Sequence, residues 1–344
     1  MDEIVFLLRK ITPDLIQKLE NRYNILRNIQ FFQPIGRRVL SAQMNWSERP
    51  LRSEVKFLER QGLINIKSGG MELTSEGEKT INKLQNFISR LRGLNDISSF
   101  LKNRFQIKDV LIIPGDSDVD ESIKKQMGRM TADYLKGIIK DGSIIAVTGG
   151  TTVAQIPKVL PDSMVKRNVV VVPGRGALGE KAEIQANTIA AELARKLGGS
   201  YKLLHVPDNL SQRALKTVCE DSMIKELLQI IKKADILIHG VGTAQEMAKR
   251  RGLSQEDMEY LKKMHAVSET LGFYLDKTGK IVYETTSIGF GFSDLNEIGT
   301  IITVAGGSSK AEAILAFLNI RYSSVLITDE GAAKKMTNIL QEGN

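Results

Sequence analysis

Seven short apolar runs beyond residue 108 constrain the fold most strongly. They are DVLIIPG, SIIAVTGG, NVVVVPGRG, YKLLHVP, ADILIHGVG, TIITVAGG and SSVLITDEG, and amphipathic stretches lie between most of them, at 121–140, 183–197, 222–233 and 308–319. Apolar strands that lack polar alternation are covered on both faces of a sheet. The pattern therefore predicts an α/β domain with a doubly wound, mostly parallel sheet, in which ligands bind at the carboxyl ends of the strands.

Two of these strand ends carry a Gly-Gly turn with hydroxyl side chains. The first turn, in VTGGTT, consists of Gly149, Gly150, Thr151 and Thr152. The second turn, in VAGGSSK, consists of Gly306, Gly307, Ser308, Ser309 and Lys310. Glycine lets backbone N–H groups approach a ligand, and a following helix N-terminus favours negative charge. A third strand end adds Arg175, whose guanidinium suits phosphate or carboxylate. The residues predict an anionic ligand with one or two phosphates, the alternative being glycines kept for turn shape alone.

Residues 1–75 predict a different unit, a winged helix-turn-helix. Apolar spacing indicates helices over 13–32 and 36–44, with Val39 and Leu40 on the inner side of the second. A third helix follows, which Ser47 caps and Gly62 ends. Alternating residues around Ser68, Gly69 and Gly70 then indicate a hairpin wing. In such a domain the beginning of the last helix reads base edges in the major groove.

The distribution of charge supports this interpretation. The chain has a net charge of +8, and residues 1–106 hold 18 Lys and Arg against 11 Asp and Glu. A local basic surface favours DNA phosphates because counterions are released on binding. The residues that we expect to face operator DNA are Arg37, Arg38, Ser47, Arg49, Arg52, Ser53, Lys56 and Lys67. A small helical interaction domain with an incidental basic face is the alternative.

Residues 76–106 continue a helical apolar stripe that Gly93 interrupts. We interpret the segment as a linker and dimerisation helix, the alternative being a helix packed against the chain's own C-terminal domain. Residues 107–344 form the remaining domain.

Several site classes lack their motifs. There is no Walker A motif and no G-x-G-x-x-G fingerprint that is followed by a ribose-binding acid, and the three histidines have no metal-ligand spacing. The single cysteine, Cys219, excludes an internal disulfide, and we interpret it and Trp46 as packing residues. We expect no catalytic residue, no metal, no cofactor and no membrane segment, and a cytoplasmic location.

Seven motifs distributed along the whole chain resemble the sorbitol-operon regulator (SorC) family of bacterial transcription factors: PIGRRVLS, GDSD, VTGGTT, GRGALGE, QANTIA, VAGGSSKAEAI and VLITDEGAAKK. The resemblance implies a sensor domain with the fold of glucosamine-6-phosphate deaminase and ribose-5-phosphate isomerase. It further implies a homodimer or homotetramer that represses a glycolytic operon and is released from operator DNA by fructose-1,6-bisphosphate.

The resemblance also implies the roles of single residues. One phosphate would bind the first turn, with Lys310 and Arg175 as further contacts. Gln185 and Glu269 would bond sugar hydroxyls, and Arg250 and Arg251 would meet the second phosphate in place of the second turn. A sugar-phosphate isomerase or deaminase-like enzyme with an accessory helical domain is the alternative, but the sequence shows no acid–base constellation for it.

Overall fold

The computed structural model describes residues 3–160, 168–178, 181–208 and 210–342, with side chains from residue 7 onward. The chain forms two compact units, Met1–Ile97 with Asp120–Ser122, and Ser98–Val119 with Ile123–Asn344. This division falls inside the segment predicted as a linker. The domain boundaries 1–75, 76–106 and 107–344 stay predictions.

The first unit contains the helices and the hairpin that the pattern predicts. Its elements are α1 (Glu3–Ile11), α2 (Pro13–Phe32), α3 (Arg37–Gln43), α4 (Glu48–Arg60), β1 (Ile64–Lys67), β2 (Gly70–Leu73) and α5 (Ser75–Leu91). Strands β1 and β2 pair antiparallel. The inward face of α4 consists of Leu51, Val55 and Leu58, all buried as expected. Leu40 of α3 is buried too, but Val39 is 54% exposed, so its predicted inward position is wrong.

Helix α5 belongs to the core of this first unit. Its residues Ile81, Ile88 and Leu91 are buried in one cluster with Tyr23 and Leu26 of α2. Gly93 then adopts a φ of +68°, a left-handed conformation that ends helices, and α6 (Leu94–Phe105) begins after it. The predicted interruption at Gly93 is confirmed. The buried part of the apolar stripe is covered within the unit and is not a free dimerisation surface.

The second unit is built on the seven predicted strands. Its elements are β3 (Asp109–Ile113), α7 (Ser122–Ile138), β4 (Ile144–Val147), α8 (Gln155–Val159), β5 (Val170–Pro173), α9 (Ala186–Leu197), β6 (Ser200–Tyr201), α10 (Gln212–Glu220), α11 (Ser222–Lys232), β7 (Ile236–His239), β8 (Gly242–Thr243), α12 (Ala244–Arg250), α13 (Gln255–Lys263), β9 (Ala266–Thr270), β10 (Phe273–Asp276), β11 (Ile281–Glu284), β12 (Thr300–Val304), α14 (Ala311–Asn319), β13 (Val325–Asp329) and α15 (Glu330–Glu342).

The large sheet has the order β3-β13-β12-β7-β4-β5-β6. All its described strand pairs are parallel. From β4 the chain proceeds to β5 on one side, whereas from β7 it proceeds to β12 on the other. The strand order therefore reverses between β4 and β7, and a crevice forms at such a point, beyond the carboxyl ends of the strands.

A second, four-stranded antiparallel sheet of order β11-β10-β9-β8 was not predicted. Strands β9 and β10 are joined by Leu271 and Gly272, both with positive φ, in the two-residue turn typical of hairpins. Strands β9 and β10 lack polar alternation, so periodicity gives no signal for this hairpin in the sequence. Strand β9 carries Glu269, one of the residues predicted to contact the ligand.

Candidate functional site

A cavity of about 700 Å³ lies in the second unit, beyond the ends of β4, β5, β7 and β12. The ten residues predicted to contact the ligand all line it: Gly149, Gly150, Thr151, Thr152, Arg175, Gln185, Arg250, Arg251, Glu269 and Lys310. The structure thus brings together residues from six separate stretches of the sequence. Their role in ligand binding stays a prediction.

The first turn presents unpaired donors to this cavity. A Cβ atom on Gly149 would lie 2.8 Å from the carbonyl oxygen of Ile184, and Gly150 has a φ of +141°, so both positions require glycine. The Gly150 N–H donates to that same carbonyl at 3.0 Å. Among the described residues, nothing accepts from the backbone N–H groups or the hydroxyls of Thr151 and Thr152. These four donors can therefore bind an anion.

The second turn is paired with carboxylates of the chain itself. The Gly307 N–H donates to Asp329 Oδ2 at 2.7 Å, and the Ser309 N–H donates to Asp118 Oδ2 at 2.8 Å. The Ser308 N–H donates to Asp116 at 3.3 Å. A phosphate at this turn, which the residues alone allowed, would have to displace these carboxylates.

Lys310 is the last residue of the second turn and lines the cavity. Within the described chain its ammonium group makes no hydrogen bond and no ion pair. Burial lowers the pKa of Lys310, and the nearby Glu246 carboxylate opposes that shift. A ligand phosphate would supply the missing counter-charge.

Four buried charged side chains form one ion-pair cluster beside the cavity. Arg175 Nε donates to Asp208 Oδ1 at 3.1 Å, and Arg251 donates from Nη1 to Asp208 and from Nη2 to Glu269 Oε1 at 2.8 Å. Thr285 and Ser287 accept further hydrogen bonds from Arg175, both at 2.6 Å. The cluster balances two cations with two anions, which is the arrangement that makes burial of charge tolerable.

Sequence reasoning missed Asp208, and no motif around it signals its role. Its side chain is 1% exposed and bonds both arginines. Burial lowers the pKa of Arg251 less than Glu269 and Asp208 raise it, so the pKa is raised overall. Arg251 is thus committed to two internal carboxylates, whereas the family resemblance assigned it to a phosphate.

Two atoms of the ion-pair cluster retain bonding capacity. Arg175 Nη1 is buried without a hydrogen-bond partner. Glu269 Oε1 accepts from Arg251 and from the Gly272 N–H, whereas no described residue donates to its Oε2. A donor and an acceptor beside one cavity suit a sugar hydroxyl.

The remaining cavity residues differ in exposure. Gln185 uses its side-chain oxygen to accept from the Leu178 N–H at 3.1 Å, and Arg250 is partly exposed at the end of α12. Residues 179 and 180, which end the GRGALGE motif, lie outside the described residues.

The predicted DNA-reading residues lie on the surface of the first unit. Arg49, Arg52, Ser53 and Lys56 are exposed on α4, as are Arg37 and Arg38 on α3. Ser47 precedes α4 as predicted, but its hydroxyl makes no capping hydrogen bond. Lys67 pairs with Glu72 across the hairpin, so a DNA phosphate would compete with that carboxylate.

Other chemistry finds little support in the described residues. Among them no group of three or more His, Cys, Asp or Glu is placed to hold a metal ion, and no helix is long and apolar enough to cross a membrane.

His239 is fully buried, and burial lowers its pKa to about 4. Cys219 is partly exposed on α10, a helix with no buried residue, so its predicted packing role is wrong. Trp46 packs against the first unit's core as predicted.

Comparison with known proteins also divides the chain into an N-terminal and a C-terminal part. Residues 19–88 match the CggR N-terminal DNA-binding domain, and residues 89–338 match a putative sugar-binding domain. The central glycolytic genes regulator of Bacillus subtilis is 42% identical over 98% of this chain and 99% of its own. Its namesake from Priestia megaterium is 41% identical over 98% of both chains.

Solved structures share the fold. A SorC-family transcriptional regulator from Enterococcus faecalis has a TM-score of 0.66 and 35% identity over 70% of this chain and 99% of its own. The full-length sorbitol operon regulator of Klebsiella pneumoniae has a TM-score of 0.66 at 18% identity, over 88% and 94% of the two chains, and so supports the fold alone. The chain therefore belongs to the SorC family of bacterial transcriptional regulators, and it is a DNA-binding regulator with a sugar-binding domain rather than an enzyme.

Proposed function

We propose that the chain is a repressor of a glycolytic operon, and that fructose-1,6-bisphosphate lowers its affinity for operator DNA. The names of the two relatives, each matched along nearly the whole chain, support the class of genes. The fructose-1,6-bisphosphate assignment rests on the cavity, in which the first turn offers four unpaired donors and Lys310 makes no ion pair with a described residue.

One phosphate binds the first turn, where the N–H groups and hydroxyls of Thr151 and Thr152 surround it and Lys310 neutralises it. Charge-assisted hydrogen bonds of this kind are short and strong. Glu269 Oε2 accepts from a sugar hydroxyl and Arg175 Nη1 donates to the sugar. The second phosphate binds on the side of Arg250, because Arg251 is held by Asp208 and Glu269.

The response follows from an oligomer with two or more winged helices. A dimer or tetramer presents them at the spacing of operator half-sites. Ligand binding in the sugar-binding domain changes that spacing and so lowers the affinity for operator DNA. Coupling of this kind is typically about 1–3 kcal/mol, or roughly 5- to 150-fold in affinity. No cofactor is needed.

Fluorescence anisotropy tests the proposal, with DNA from upstream of the protein's own operon and salt held constant because phosphate contacts depend on it. Fructose-1,6-bisphosphate is titrated beside fructose-6-phosphate and glucose-6-phosphate. We expect only the bisphosphate to weaken binding or reduce its cooperativity. Specific DNA binding that no sugar alters would remove the effector assignment.

The Arg52→Ala variant is the control for the DNA side. Arg52 is exposed on α4 and far along the chain from the cavity residues. If it touches a base, its loss costs about 1–3 kcal/mol of specific DNA affinity. Calorimetric affinity for the sugar must stay unchanged. An unaltered operator affinity would remove Arg52 from the DNA-reading surface.

A further inference from the structure

We propose that Asp118 determines where phosphate binds in the cavity: its carboxylate occupies the second turn as an internal anion and keeps a ligand phosphate out of it. This inference deepens the proposed function and rests on it, since it specifies which of two similar turns takes the phosphate.

Asp118 bonds the second turn through both carboxylate oxygens. Oδ2 accepts from the Ser309 N–H at 2.8 Å and from the Ser308 hydroxyl at 3.3 Å. Oδ1 accepts from the Ser309 hydroxyl at 3.1 Å. The carboxylate also lies against Gly307, where a Cβ atom would come within 2.4 Å of Oδ1. A phosphate oxygen would seek the same donors at the same distances.

Asp118 lies where it can exclude a ligand from the second turn and where its side chain can be substituted. It lines the cavity together with Ser309 and Lys310, so a ligand in the cavity can reach the turn. It is exposed and belongs to no helix or strand, and its N–H is satisfied by Asp116 at 2.9 Å. Removal of its side chain therefore frees the Ser309 N–H and the hydroxyls of Ser308 and Ser309 without opening a hole in a core. The Gly307 and Ser308 N–H groups stay bonded to Asp329 and Asp116.

Charge adds to the exclusion. A carboxylate beside a phosphate repels it, and the two groups would also compete for Lys310, whose environment includes Asp118. The first turn has no such carboxylate bonded to it among the described residues. A ligand with two phosphates therefore places only one of them on a Gly-Gly turn and directs the other to the Arg250 side.

The test uses inorganic phosphate and the melting temperature of the full-length protein. We expect Asp118→Ala to create an additional phosphate site at the second turn. Occupancy of one more site should raise Tm by about 3 °C above the rise seen in the wild type, once phosphate reaches ten times its Kd. The Asp118→Ser variant, whose shorter side chain also cannot reach the turn, should behave in the same way.

The control is Asp133→Ala, because phosphate also stabilises proteins without binding and because any lost carboxylate alters net charge. Asp133 is exposed on α7 and, among the residues that the structure describes, pairs only with Lys136, three residues further along. It should match the wild type. The proposal is overturned if both Asp118 variants respond to phosphate as the wild type does, or if Asp133→Ala gains as much as they do.

These outcomes are separable from failure of the proposed function. The melting experiment contains neither DNA nor sugar, so the Asp118 result stands even if fructose-1,6-bisphosphate leaves operator binding unchanged. Conversely, a normal sugar response combined with an unaltered phosphate response in Asp118→Ala would leave the repressor intact and remove only the role of Asp118.

Discussion

The two Gly-Gly turns follow parallel strands of the same sheet and have nearly the same sequence, VTGGTT and VAGGSS, yet their donors meet different partners. The Thr151 and Thr152 N–H groups have no described acceptor, whereas those of Gly307, Ser308 and Ser309 each donate to a carboxylate. The difference comes from the neighbouring strands. The second turn follows β12, whose neighbour β13 ends in Asp329 and lies beside β3, which leads to Asp116 and Asp118.

The first turn follows β4 between β5 and β7, whose ends carry glycine and arginine or glycine and valine rather than acids. A Gly-Gly turn after a strand is thus an anion site only where the adjacent strand ends leave its donors unpaired. Four predictions test this comparison.

The largest effect should come from Asp329→Ala. Asp329 is fully buried and accepts N–H donors from Ser117, Gly307 and Ala332. Buried donors left unpaired cost about 1–3 kcal/mol each, so the free energy of unfolding should fall by roughly 3–5 kcal/mol. Urea denaturation measures it, with Asp118→Ala expected to lose less than about 1 kcal/mol. An equal loss of unfolding free energy in the two variants would contradict the distinction between Asp329, a buried structural carboxylate, and Asp118, an exposed carboxylate that occupies the turn.

A pH effect should arise at His239, which lies on β7 between the strands that carry the two turns. Burial lowers its pKa to about 4, while the unfolded chain has about 6.5. Between these values the unfolded state binds more protons, so stability falls as pH falls from 6.5 to 4, by at most about 3 kcal/mol. Urea denaturation of His239→Gln across this range should show a shallower decline. Identical slopes in both proteins would exclude His239 as the cause.

A smaller effect is expected from Thr152→Ala in the first turn. Its hydroxyl has no described partner and lies beside the cavity, so its loss removes one hydrogen bond to the ligand phosphate. Such a bond contributes about 1–1.5 kcal/mol, or roughly a tenfold rise in the Kd for fructose-1,6-bisphosphate by calorimetry. DNA affinity without sugar should be unaltered. Loss of DNA binding in this variant would show that the two roles are not separate.

The smallest effect should come from the matched change in the second turn, Ser309→Ala. The Ser309 hydroxyl already donates to Asp118, and the site is exposed. We expect less than about 0.5 kcal/mol in stability and less than about a twofold change in sugar affinity. A tenfold loss of sugar affinity here would mean that both turns contact the ligand.

Much of this could be predicted from the sequence because it depends on local pattern. The seven strands of the sheet, helices α2 to α4 and the hairpin of the first unit, and the break at Gly93 all follow from periodicity and backbone preference. The first turn, Arg175 and Lys310 could be assigned to one cavity because parallel strands bring their carboxyl ends to one edge. Gln185, Glu269, Arg250 and Arg251 were assigned through the family resemblance, since no strand-end pattern points to them. The small antiparallel sheet was not predicted because its strands form neither an apolar run nor a polar alternation: Ser268, Glu269 and Thr270 of β9 are polar and yet buried.

The sequence by itself determined the two-part organisation and the parallel sheet, and it predicts anion binding at the strand ends. Only the tertiary structure decided which donors and charged groups remain available to a ligand. It paired the second turn with Asp116, Asp118 and Asp329, and it placed Asp208, over 30 residues from Arg175, between two arginines. The physical reason is that hydrogen-bond donors and charged groups pair with whichever strand ends lie next to them in the folded sheet. The order of strands in the sheet cannot be inferred from any local motif.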